Sequence, residues 1–183
     1  MGNSGSTQEG VELWDAAKIG DEEYVQYLLE IGANVDYLAV SNITPLMIAA
    51  QNNHNNIVKI LLRNGAGINM VDEINRTALF FAAFCGNKSV VKTLLSKGAD
   101  VNIKAENTIT PLIASYESPL RKEAKITMQN KKIPADVLYI DSLRLKDFEA
   151  TTRLLIEYSE DVNHKNNDGY TALHFAVENG DKE

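Results

Sequence analysis

Apolar residues fall along this chain in short doublets separated by polar stretches. Ala16-Ala17, Ala49-Ala50 and Ala82-Ala83 form one set, and Leu28-Leu29, Leu61-Leu62 and Leu94-Leu95 form another. Val90-Val91 followed by Leu94-Leu95 places apolar groups three and four residues apart, which gathers them on one face of a helix. The pattern predicts pairs of short helices. The first of each pair has a small-residue face that lets neighbours approach closely, and the second has a leucine face. Gly32, Gly65 and Gly98 follow the leucine doublets and suit the left-handed residue that ends a helix.

The pairs repeat. Thr44-Pro45-Leu46, Thr77-Ala78-Leu79 and Thr110-Pro111-Leu112 stand 33 residues apart, as do Gly65-Ala66 and Gly98-Ala99, and Asn69 and Asn102. One step back from Thr44 reaches Val11, with Ala16-Ala17, Gly20, Gly32-Ala33 and Asp36 in register. Forward, the pattern returns at Thr171-Ala172-Leu173-His174 after 61 residues, with Asp161-Val162-Asn163 before it. Thr44 to Ala50, Thr171 to Ala176 and Lys97 to Asn102 resemble the ankyrin repeat signature. The resemblance covers about 11–116 and 147–183, and several motif positions recur in phase. It implies an all-α ankyrin-repeat solenoid of stacked helix-turn-helix units with β-hairpin loops. Physical chemistry agrees with the motif. Threonine caps a helix, proline suits its first turn, and a lone unit cannot bury its apolar face, so stacking makes the core.

The expected organisation is a disordered leader over 1–10 and an array over 11–183. Its units are about 11–36, 37–69, 70–102, 103–163 and 164–183. The first has Val11-Glu12-Leu13-Trp14 in place of Thr-Pro-Leu and reads as an N-terminal cap, with Trp14 in its packing. The fourth is interrupted by an insertion at 117–146 and ends in Ser159-Glu160 where others have Gly-Ala. Two readings of the insertion stand. One is a loop between the two helices of that unit. The other is a degenerate extra unit, with helices over 120–128 and 135–145 divided near Ile133-Pro134. Val137, Leu138, Ile140, Leu143 and Leu145 favour the second, being too apolar for a solvated loop. The fifth unit is incomplete: a first helix over 171–179 has no second after Gly180, which reads either as a fragment of a longer array or as a naturally short last unit acting as a cap. At the hairpin tips, where the family places glycine, stand Asn42, Asn75, Thr108 and Gly169. Asparagine tolerates positive φ, whereas β-branched Thr108 predicts a distorted tip.

Charge narrows the function. Lys and Arg number 18 against 25 Asp and Glu, a net −7, which argues against a nucleic-acid partner. The insertion runs the other way, with seven basic and four acidic residues. That permits an acidic peptide or a lipid headgroup there, against the plainer reading of a solvated charged face. No apolar run approaches the ~18 residues of a membrane span. Cys85 is the only cysteine, and the first ten residues lack a signal's apolar core. A cytoplasmic monomer is expected, with membrane-associated or nuclear placement as alternatives. His54, His164 and His174 have no metal-ligand spacing, and no phosphate loop or nucleophile–base pair occurs. No enzyme, metal or cofactor is expected. By the resemblance, His174 bonds hairpin backbone. Met1 to Ser6 fits an N-myristoylation pattern at Gly2, the only route to a membrane.

The resemblance implies a protein-interaction scaffold that binds a protein partner on the concave face of hairpins and first helices. Carried over by position, that face holds Leu38, Val40, Ile43, Gln51 and Asn52 from unit two. Unit three supplies Val71, Glu73, Ile74, Arg76 and Phe84, and unit four Asn107 and Ile109. Several are apolar where hairpins are usually polar, which reads either as a partner surface or as packing between adjacent hairpins. The alternatives are an N-myristoylated membrane-associated adaptor and a regulatory array of a longer enzyme.

Overall fold

Three threonines start three helices in the same way. Thr44, Thr77 and Thr110 sit in extended backbone, and their hydroxyls accept the N–H of Met47, Phe80 and Ile113 at 3.2, 3.2 and 3.3 Å. Each thus satisfies one donor that the helix itself leaves open. The computed structural model describes residues 7–120, 122–123 and 135–178, with side chains in the last segment from residue 143. Its helices are α1 (Thr7–Ile19), α2 (Glu22–Glu30), α3 (Pro45–Gln51), α4 (Asn55–Arg63), α5 (Ala78–Cys85), α6 (Lys88–Ser96), α7 (Pro111–Glu117), α8 (Ala135–Tyr158) and α9 (Ala172–Glu178).

These stack in two layers. The inner layer is α1, α3, α5, α7 and α9, and the outer layer is α2, α4, α6 and α8. The alanine doublets are almost wholly buried between inner helices, at 0–2% exposure. In the outer layer Leu28, Leu61, Leu94 and Leu155 are buried to 1% or less. Full burial of such a leucine is worth roughly 1.5–3 kcal/mol, so the doublet register supplies much of the core.

The hairpins stack as well. The same backbone bond closes each one, from Ala39 N–H to Ile43 O, Asp72 to Arg76, Ala105 to Ile109 and Asn166 to Tyr170, at 2.9–3.2 Å. Each tip donates to the previous one: Glu73 N–H to Ser41 O, Glu106 to Ile74 O and Asn167 to Asn107 O. No strand forms among the described residues, because each hairpin carries a single closing bond. The ladder passes directly from Asn107 to Asn167, so the residues between do not separate the fourth hairpin from the fifth.

Three expectations change. Helix α1 begins at Thr7, inside the expected leader, and Gly10 is buried against the Tyr37 ring with no room for a Cβ. A single helix of 24 residues, about 36 Å long, runs through the junction near residue 146 where two elements were expected to meet. Thr108 adopts φ 57°, but it does so as the second of two consecutive left-handed residues, a geometry shared by Ser41-Asn42. Gly2 and residues 124–134 lie outside the described residues.

Candidate functional site

The hairpins and inner helices share one face, and its centre is organised by Asp72. This carboxylate is almost completely buried. Its Oδ1 accepts from the N–H of Ile74 and Arg76 at 3.1 and 2.7 Å, and its Oδ2 accepts from Arg76 Nε at 2.7 Å. A second guanidinium nitrogen lies 2.7 Å from the same Oδ2. The guanidinium also covers the Phe81 ring at 4.5 Å. Arg76 is therefore committed to its own hairpin.

Beside it opens a cavity of about 300 Å³, lined by Gln51, Ile74, Arg76, Phe80, Phe81, Phe84, Ala105, Glu106, Asn107, Ile109 and Glu117. The Phe80 and Phe84 rings stack with centroids 6.3 Å apart, and Phe81 meets Phe80 edge-on. Burial pushes the Glu117 carboxyl above its ordinary range. Nearby Lys122 opposes that rise and Asp168 adds to it.

The cavity gathers Gln51, Ile74, Arg76, Phe84, Asn107 and Ile109 from the expected face. The other expected residues stand apart from it. Leu38 and Val40 project from the second hairpin at 48% and 88% exposure. Ile43 and Ile109 pack against the main core, which favours the packing reading for these two. Asn52 lies exposed, with its side chain donating to Ile48 O at the end of α3. Val71 is half-buried and Glu73 exposed. Phe80, Phe81, Ala105 and Glu117 were not anticipated. Glu117 stands 33 residues after Phe84 and 66 after Gln51, so the repeat register itself pointed to it.

A second cavity, about 500 Å³, lies where the start of α6 meets α8, lined among others by Lys88, Lys92, Arg144, Asp147 and Phe148. The histidines make structural bonds. His54 Nε2 lies 3.1 Å from Lys18 O, and His164 Nε2 lies 3.0 Å from Thr108 O, each joining neighbouring units. His174 Nδ1 accepts from Thr171 N–H at 3.1 Å, at the base of the last hairpin. Burial raises the Cys85 thiol above its ordinary range, away from the reactive thiolate. Among the described residues no cluster of three metal-ligating side chains forms, and no helix is long and apolar enough to cross a membrane.

No curated protein matches the chain. Two family models do match, one described as ankyrin repeats (3 copies) over residues 13–105 and one described as ankyrin repeats (many copies) over residues 144–183. Capping threonines, buried alanine doublets and a bonded hairpin ladder give those matches their physical basis, and the chain belongs to the ankyrin repeat family.

Proposed function

We propose that this protein is an interaction scaffold that holds a protein partner on the face of hairpins and inner helices, centred on the cavity between units three and four. Ankyrin repeats are generally protein-protein interaction modules, and the family is typically not enzymatic. The observation that carries the choice of face is the cavity walled by stacked Phe80 and Phe84 and by Ile74, an apolar pocket with a few polar groups at its edge. Aromatic anchors in a desolvated pocket are the usual source of binding energy at protein interfaces.

The test is affinity capture with the wild-type chain beside Ile74→Asp and Phe84→Asp. Both residues are only half-buried, so the fold is expected to survive, with circular dichroism and melting temperature as controls. Each substitution should reduce partner capture at least about tenfold, the range of a hot-spot loss. An unchanged set of captured proteins from both folded variants would place the binding face elsewhere.

A further inference from the structure

Among the described residues the charges around the cavity are not balanced. Arg76 is neutralised by Asp72 through two short contacts to one carboxylate oxygen. The remaining ionisable groups of the lining are Glu106 and Glu117, and Asp168 acts on Glu117 from the fifth hairpin. Among the described residues Lys122 is the cation that acts on Glu117, and burial still dominates there. The apolar wall is formed by Ile74, Phe80, Phe84, Ala105 and Ile109. One compartment thus combines an aromatic slot with a partly desolvated acidic end, in a chain of net charge −7.

We propose that the cavity takes a peptide segment of a partner that seats one large apolar side chain between Ile74, Phe80 and Phe84 and sets a nearby lysine or arginine against Glu117. This rests on the binding face assigned above and adds the partner's chemistry to it. A volume of about 300 Å³ is at the small end of ligand pockets and suits one or two side chains. Such a cavity is under about 10 Å across, so apolar anchor and charge fall within roughly three residues of extended chain. The carboxylate makes the cation specific. Burial has already removed part of its water, so an incoming cation gains more there than at an open surface. An acidic segment would meet Glu106, Glu117 and Asp168 together and be repelled.

A phage-displayed library of random peptides, selected on the full chain and on Glu117→Gln, Glu117→Lys and Phe84→Asp, tests this. The wild type should enrich peptides that pair a large apolar residue with Lys or Arg within about three positions. A synthetic peptide from that pool should bind Glu117→Gln about fivefold more weakly by fluorescence polarisation, the scale of one partly exposed ion pair. Glu117→Lys should keep the apolar preference and lose the basic one, and Phe84→Asp should lose both. Thermal melts of each variant establish that the fold is kept. Wild-type peptides without a basic preference, or peptide binding indifferent to both Glu117 substitutions, overturn the partner chemistry and leave the binding face standing. Binding indifferent to Phe84→Asp and Ile74→Asp removes the face itself. A wild-type selection that enriches nothing above background also overturns the proposal.

Discussion

The residue at the base of each hairpin decides how its tip turns. In units three and five that residue is Asp72 or Asn166. Asp72 Oδ1 accepts from Ile74 and Arg76 N–H, and Asn166 Oδ1 accepts from Asp168 and Tyr170 N–H, at 2.7–3.1 Å. These tips need one left-handed residue each, Asn75 and Gly169. In units two and four the base is Ala39 or Ala105, which offers no side-chain acceptor. The N–H of Ile43 and Ile109 turns instead to the backbone carbonyl of Val40 and Glu106, at 3.4 and 3.3 Å, and two left-handed residues result. A left-handed non-glycine residue costs roughly 1–2 kcal/mol. Ala39→Asn should therefore restore the acceptor, release Ser41 from its left-handed conformation and stabilise the chain by about 1 kcal/mol. That is a rise of some 2–4 °C in Tm for a chain of this size, and a melting temperature that falls instead would reject this account of the tips. Glu117 carries a cost of another kind. Its folded pKa is raised, so its favourable contribution is complete below the ordinary value of 4.5 and disappears as pH rises through the folded value. At neutral pH the charged form opposes folding. Glu117→Gln should match the wild type in denaturant stability near pH 4 and exceed it at pH 7, by about 0.5 kcal/mol for a half-exposed group. Equal stability at both values would place the carboxylate in full solvent.

At the scale of elements, the outer helices of units two and three differ from that of unit four at one register position. His54 and Asn87 stand just before α4 and α6, and their side chains reach back to carbonyls of the preceding inner helix. His54 bonds Lys18 O, and Asn87 bonds Ala50 O and Gln51 O. The matching residue in unit four is Phe148, which is 2% exposed and makes no cap. It packs over Gly86, where a Cβ would sit 2.9 Å from the ring, and the helix continues back to Ala135. Phe148→Ala should cost about 3–5 kcal/mol by opening a cavity in this seam. Gly86→Ala should also destabilise, through both the φ of 71° and the ring contact. A Phe148→Ala loss under 1 kcal/mol in urea unfolding would mean that α8 is not held there. The difference also marks the limit of the sequence pattern. The 33-residue step located α3 to α7, because cap, alanine doublet and leucine doublet are local signals that agree with one another. It located half of the cavity for the same reason, since Gln51 and Phe84 share a register. It did not show that the helix expected to begin at Ala135 runs on through residue 146, because a missing cap leaves no mark that periodicity can read. Glu117 went unnoticed because, although in register, it is the first residue of the expected insertion. The union of Arg76 with Asp72 was equally hidden, since spacing assigns faces but not which charges pair.

At the scale of the whole molecule, a stack of units is held by nearest neighbours, so each unit is as stable as the contacts it makes with them. The central helices α3 to α6 have a full neighbour on both sides, and they bury both alanine doublets, Leu61 and Leu94-Leu95. Helix α9 packs on α7 and buries only Ala172 and Ala176, while Leu173 and Val177 are 56% and 69% exposed. Much of what joins the fifth unit to the fourth runs through the hairpins instead. Asn167 N–H bonds Asn107 O at 3.0 Å, Thr108 Oγ1 lies 3.2 Å from Asn167 Oδ1, and His164 Nε2 lies 3.0 Å from Thr108 O. His164→Ala removes the last of these without touching a helix. In hydrogen exchange the wild type should protect α5 and α6 most and α9 least. The substitution should speed exchange in α9 and the fifth hairpin about fivefold, equivalent to one hydrogen bond of ~1 kcal/mol, while α3 to α6 keep their rates. The cavity depends on hairpins three and four and lies on the protected side of this boundary, so peptide binding at Phe84 should persist in the same variant. A His164→Ala protein whose α3 to α6 rates rise in step with those of α9 would show one cooperative body, and the hairpin ladder would not be the joint on which the fifth unit hangs.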